Sequence, residues 1–313
     1  MNGESLVLNL NKLILESSSS SFIDMRTSYA YIYEAARELA RRTKTLTSTT
    51  SIETVISQRT YDLPSDFTNL YFRDDRNRFI IKYTTTLTGA NYWIPFRQYD
   101  AMYESDNDSN VAVPDTFSIT DEQTLKSRIT GTASAAGAEA LGECTITDTS
   151  SSTKFATVGV GDNVSNITDG SSGLVIEKTS DTALVTAMFG GTTDEWTSGD
   201  SYVIVPQTCK QIVIDPPPSA VDDVIYIPYL QEPPPVFSPY RTYRIDDQYE
   251  FALSYYAAWM YKYRDSKPDY GDRWYKLFDD KVRKATKEAN KMLGRNTFRV
   301  NLRKTSFGDR SMR

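Results

Sequence analysis

The sequence predicts an α+β fold: a helical bundle built from both chain ends, a β-rich middle, and a small all-β domain inserted into it. Three observations predict this. Apolar residues recur at three- and four-residue spacing near both termini; short alternating segments fill the centre; and composition shifts abruptly to Gly, Ser, Thr, Ala and Asp between residues 130 and 207. These observations divide the 313 residues into a body (1–129 and 208–293), an insertion (130–207) and a basic tail (294–313).

The helices come first. Residues 22–43 place Met25, Tyr29, Ile32, Tyr33, Ala36, Leu39 and Ala40 on one stripe, with Ser21 and Asp24 as a capping box in front. A weaker helix over residues 4–16 precedes them, across a serine run. Residues 245–264 stripe Ile245, Tyr249, Ala252, Leu253, Tyr256, Trp259, Met260 and Tyr263. After Ser266-Lys-Pro-Asp269, with Pro268 in a first turn, a last helix turns Tyr270, Trp274, Leu277, Phe278, Ala285, Ala289 and Met292 inward until Gly294. Aromatic stripes at this spacing read as core rather than as a cofactor box.

Strands follow from alternation: 51–64, broken at Pro64, then 77–87, 90–96, 115–121 and 124–129, with a turn or two of helix at 98–105. KQIVIDPPP (210–218) and DDVIYIPYLQEPPP (222–235) are two more, each ended by a proline triplet that leaves an extended linker. Residues 114–129 and 210–231 read as one meander interrupted by the insertion. Within the insertion, 173–179, 182–189 and 201–207 are strand-like, separated by turns at Asp169-Gly170, Gly190-Gly191 and Ser198-Gly199-Asp200.

One stretch invites a functional reading: TVGVGDNVSNITDGSSG, residues 157–173. A phosphate loop needs its glycines between a strand and a helix N-terminus. Gly159-Val-Gly161 has no third glycine at the required offset and no helical pattern after it, so these glycines are turn residues. Asp106-Asn-Asp108-Ser-Asn110 opens like a calcium loop, but Val111 and Phe117 stand where the glycine and the bidentate glutamate are needed. The acidic pairs Asp74-Asp75, Asp222-Asp223, Asp246-Asp247 and Asp279-Asp280 sit at turns and helix ends, where acids serve as caps. Cys144 and Cys209 lack ligand spacing and are too few for a disulfide framework, which makes a reduced intracellular setting the expectation.

The chain contains no histidine. Acid–base catalysis, nucleophile activation and transition-metal binding all draw on imidazole, so the expectation is a non-enzyme without cofactor or metal. No run of about 18 apolar residues exists for a membrane span, and Glu4 and Glu16 flank the first apolar stretch where a secretory signal would be basic. The net charge of −6 is uneven. Residues 281–313 hold eleven Lys/Arg against Glu288 and Asp309, a net +9, which leaves −15 on residues 1–280. That asymmetry predicts an acidic body whose basic end seeks an acidic partner.

The order of "TYDLPSDF", "DTFSITDEQTLK", "QIVIDPPP" and "VIYIPYLQEPPP", followed by the helical "DDQYEFALSYYAAWMYKYR", resembles the head–tail adaptor (head-completion, connector) proteins of tailed bacteriophages. The resemblance covers about residues 20–129 and 208–293. It implies a structural virion subunit at the head–tail interface, assembled in the host cytoplasm. Such a subunit forms a ring, typically dodecameric, that binds the portal protein on one side and tail proteins (nozzle or tail tube) on the other. Genomic DNA passes through its lumen without sequence-specific binding. The family commonly engages the portal through its C-terminal segment. In that position here lie Arg295, Phe298, Arg299, Val300, Leu302, Arg303, Lys304 and Phe307, with alternation over 298–302 suited to an extended strand laid on a partner. The simpler adaptors lack the insertion. The alternatives are another tail-tube or tail-fibre attachment component, and a carboxylate-dependent virion hydrolase.

Overall fold

The computed structural model describes residues 1–14, 24–73, 78–98, 111–124, 126–264 and 268–292. Among them fourteen strands form three antiparallel sheets beside four α-helices. The architecture is therefore mostly β, and the expected helical bundle built from both chain ends is corrected. The helices α1 (Gly3–Ile14), α2 (Met25–Thr43), α3 (Glu250–Arg264) and α4 (Pro268–Met292) do pack on one another. Their core is nevertheless completed by Ile176 and Ala187 from a sheet and by Val236 and Phe237 from an irregular segment. The physical reason is that a helical stripe reports that a face is buried, not what buries it. Met25 and Leu277, placed on inward stripes by their spacing, are exposed.

The first sheet runs β1 (Thr47–Glu53), β14 (Val224–Gln231), β4 (Ile80–Thr84), β5 (Asn91–Pro95), with β3 (Phe67–Leu70) also on β14. The second is β2 (Thr60–Asp62), β13 (Cys209–Asp215), β6 (Thr116–Thr124). Ile81, Tyr83, Ile94, Ile225 and Ile227 from the first meet Phe117, Ile212 and Ile214 from the second in one core. Each aliphatic or aromatic side chain buried there contributes about 1.5–3 kcal/mol.

The third sheet is made wholly of residues 129–205, in the order β7 (Ile129–Thr132), β12 (Ser201–Val205), β9 (Asn163–Asn166), β10 (Ser172–Ser180), β11 (Ala183–Phe189), β8 (Cys144–Thr147). Ile129 pairs with Ile204, so the chain enters and leaves this unit side by side. Trp196, Tyr202, Phe155, Ile146 and Leu184 fill its own core. Strand alternation turns Val185, Ala187 and Phe189 the other way, into the helical layer. On β10 the same alternation turns Leu174 and Ile176 to that layer, while Val175 between them faces the unit's own core.

Helix starts follow local chemistry. Asp24 caps α2, its carboxylate accepting from the Thr27 N–H at 2.6 Å. Ser21, the other half of the expected box, lies outside the described residues. At the far end of α2, Lys44 takes the left-handed conformation (φ 54°) and its N–H returns to the Ala40 carbonyl.

Candidate functional site

A cleft of about 810 Å³ opens between α2, the end of β14 and the third sheet. Among its lining residues are Glu232 to Val236, the start of the segment Glu232-Pro-Pro-Pro-Val-Phe-Ser-Pro that follows β14. The proline triplet 233–235 was expected as an extended linker; instead the segment is a buried strap. Proline cannot donate to a ladder, so the chain leaves the sheet at Gln231 and joins the helical core through Val236 and Phe237. Phe237 pins it. Its ring centroid lies 6.0 Å from that of Tyr29, 6.1 Å from Tyr33 on α2 and 6.1 Å from Phe189 on β11, so one side chain joins strap, helices and third sheet.

Polar contacts fix the same junction. The Arg241 guanidinium donates to both Glu143 carboxylate oxygens, at 2.8 and 3.0 Å, and pairs with Glu177 at 2.7 Å. Both acids belong to the third-sheet unit. The hydrogen bonds that Arg241 donates to Glu143 hold it protonated more firmly still. Burial alone would raise the Glu143 pKa, but Arg241 outweighs it and holds the carboxyl below its usual range. The Ser238 hydroxyl donates to the Leu141 carbonyl at 3.0 Å, and the Arg26 guanidinium to Ser172 Oγ at 2.9 Å. The first amides of α1 close the other side: Gly3 N–H donates to Arg241 O and Glu4 N–H to Pro239 O, satisfying donors that a helix start leaves open. Gly3 is required there, because a Cβ would stand 2.2 Å from Ser238 O.

The Gly-Val-Gly loop forms one wall of the cleft, through Val158, Gly159 and Val160. Its amides are used internally. Gly159 N–H donates to Asp162 Oδ2 at 2.7 Å, and Gly161 N–H to the Val175 carbonyl at 2.8 Å, with Gly161 at φ 96°. Asp162 is buried and also accepts the Gln207 N–H at 2.8 Å; desolvation nevertheless raises its pKa. Donors already bound to a carboxylate and a carbonyl cannot cradle an anion.

The acidic pairs do not converge. Asp223 is buried, accepting from the Tyr83 hydroxyl at 2.6 Å and the Thr86 N–H at 2.7 Å. Asp246 caps a short 3-10 turn, and Asp247 pairs with the chain's amino group. Asp279 takes Arg42 and, at 2.8 Å, Arg283; the Arg42 hydrogen bond lowers its pKa. Among the described residues no three His, Cys, Asp or Glu side chains converge so as to hold a metal ion. Cys144 and Cys209 are buried and unbridged, on different sheets, and burial pushes the Cys144 thiol up to about 11. Asp74-Asp75 and residues 106–110 lie outside the described residues. So do all eight expected partner-binding residues: Arg295, Phe298, Arg299, Val300, Leu302, Arg303, Lys304 and Phe307.

The strap, Phe237 and the Arg241 clamp were not found from the sequence. The available signal was the placement of two proline triplets directly after strongly apolar strands, which marks where a chain leaves a sheet without saying that it stays buried. Among the described residues, no helix is long and apolar enough to cross a membrane. No protein-family model matches the chain, and no curated protein is significantly similar to it in sequence.

Proposed function

We propose that this chain is a structural virion subunit of a tailed bacteriophage. In this reading it is a head–tail adaptor that forms a ring beneath the portal, joins capsid to tail and lets the genome pass through its lumen. The observation that carries the reading is how the segments bearing the resemblance sit together. "TYDLP" supplies β2, "DTFSITDEQTLK" β6 and "QIVIDPPP" β13, three strands of one sheet. "VIYIPYLQEPPP" supplies β14, which pairs with three other strands of the neighbouring sheet and continues as the strap into α3. One structural unit therefore gathers stretches that are up to about 170 residues apart in sequence.

The chemistry of the described carboxylates supports a scaffolding role. Asp148, Asp162, Asp200 and Asp223 are buried, and their oxygens are engaged by backbone amides, tyrosine hydroxyls or other polar side chains. The charge distribution supports a DNA conduit: an acidic body repels the phosphate backbone, which binds proteins mainly through Lys and Arg. Native mass spectrometry and electron microscopy of the purified protein, alone and with a portal, test the proposal. A ring that caps the portal is the expected result. A monomer that ignores the portal and hydrolyses cell-wall or capsule polymer would overturn it.

A further inference from the structure

On the outside of an acidic body, α4 carries a basic face. Its inward side is set by Gly271, Phe278, Val282 and Ala285, all buried and on one stripe. Opposite that stripe Arg273, Lys276, Arg283, Lys284 and Lys287 are exposed. At 3.6 residues per turn these five fall within an arc of about 100° and extend along about 21 Å of helix axis. Asp280 is the one acid in that arc, and no apolar residue falls within it.

Four of the five are unpaired. Among the described residues Arg273, Lys276, Lys284 and Lys287 have no hydrogen bond or ion pair, and only Arg283 meets a carboxylate, Asp279 at 2.8 Å. The acids beside the row are already engaged. Asp279 also takes Arg42, Glu288 accepts the Tyr249 hydroxyl at 2.7 Å, and Asp272 accepts the Tyr263 hydroxyl at 3.3 Å. The contrast is α2, where Arg37 pairs with Glu34 and Glu232, Arg41 with Glu38 and Arg42 with Asp279. A helix face that serves only its own stability gains from such pairs and loses from like charges at three- and four-residue spacing. Arg283, Lys284 and Lys287 stand at that spacing, so an outside anion relieves a repulsion the helix otherwise carries.

The composition and shape of the row select the anion. A protein interface buries an apolar core inside a polar rim, and this row has no apolar member. Nucleic-acid interfaces are polar and strongly positive, with Lys and Arg placed on phosphates. A duplex carries one charge per about 1.7 Å of axis, so a row about 21 Å long runs beside about twelve phosphates whatever the base sequence. Residues 1–280 are net −15, which repels a duplex elsewhere on the body and leaves this row as the place it is held.

We infer that the exposed face of α4 contacts the phosphate backbone of double-stranded DNA without reading its sequence. This deepens the adaptor reading above and rests on it for location, since in that ring the face is turned to the lumen. Fluorescence anisotropy of a labelled duplex of about 30 base pairs, titrated with the full chain over a salt series, tests it. Four contacts give a log K that falls with log[salt] at a slope of about −3.6. Lys276→Gln, Lys284→Gln and Lys287→Gln together are expected to flatten that slope by about 2.7 and to weaken binding at least about tenfold at low salt. Asp280→Lys, at an exposed position, is expected to tighten binding and steepen the slope by about one. Thermal unfolding checks that each variant is folded. A slope that the three glutamines leave unchanged, and that Arg299→Glu with Arg303→Glu abolishes, places the contact in the tail and overturns the inference. A triple variant that keeps the duplex but loses the portal makes the partner an acidic protein and overturns it too. A wild-type ring that caps the portal and binds no duplex overturns the inference while the adaptor reading stands. A monomer that ignores the portal yet binds duplex through these lysines removes the adaptor reading and leaves the phosphate contact.

Discussion

Asp162 and Glu143 stand in the same β unit, and their surroundings move them in opposite directions. Asp162 has only backbone donors and loses more to desolvation than they return, so its pKa is raised. Glu143 is also penalised by burial, but the Arg241 fork lowers its pKa, and Asp148, Asp200 and Asp279 are lowered as well. A depressed carboxylate contributes stability above its unfolded pKa, near 4, that is lost as pH falls through the folded value. A raised carboxylate works the other way, disfavouring the fold once it ionises. Stability is therefore expected to hold or rise slightly as pH falls from neutrality and Asp162 takes up its proton above the ordinary carboxylate range, and to fall below about 4 as the depressed groups protonate. Glu143→Gln should cost about 1–2 kcal/mol at neutral pH, a modest figure because both partners are partly exposed. It should also make the acid limb shallower. Urea unfolding across a pH series measures both, and an acid limb unchanged by Glu143→Gln would show that Arg241 does not set that carboxyl's titration.

At the scale of elements, legibility followed what each signal physically reports. Asp24 in front of α2 and Pro268 at the start of α4 were readable because capping and the proline ring act locally. The strands β10, β11 and β12 were readable from their apolar alternation. β9 was not, because the central position of its sheet is filled by Asn-Val-Ser-Asn. Its buried Asn166 instead donates to Asp169 and Asp200, a polar network with no hydrophobic period. The strap was missed for a related reason, since burial of a proline segment depends on partners far away in sequence. The third-sheet unit combines both lessons. With its own core around Trp196 and Tyr202, and Ile129 paired to Ile204 at its base, residues 128–206 are expected to fold alone. The body from which they are excised behind a short Gly/Ser linker should be weakened, because Ile176, Ala187 and Phe189 no longer cover the helical layer and Phe237. Thermal unfolding of the two pieces checks this: an isolated unit without a cooperative transition, or a body as stable as the full chain, would contradict the shared core.

At the scale of the whole molecule, charge and architecture point the same way along the chain. The acidic body ends in α4, 25 residues and about 37 Å of helix, with Arg283, Lys284 and Lys287 exposed along it. Residues 294–313 continue from that end with six Lys/Arg and a single acid, Asp309, and interleave Phe298, Val300 and Leu302 with Asn301 and the cations Arg299 and Arg303. Alternation over five residues gives one apolar and one polar edge. That is what an added strand needs in order to bury side chains on a partner while its arginines meet carboxylates. Every segment that bears the resemblance precedes residue 294, so removing the tail should leave ring formation untouched. Truncation after Leu293 is therefore expected to give a folded, ring-forming protein that no longer binds the portal, and in infection to yield filled heads that leak or lack tails. Arg299→Glu with Arg303→Glu in the full-length chain should weaken portal binding in the same direction without altering the ring. Portal co-sedimentation separates the outcomes. If truncated rings still cap portals and support tail joining, the basic end has no part in attachment, and the portal contact must lie on the body.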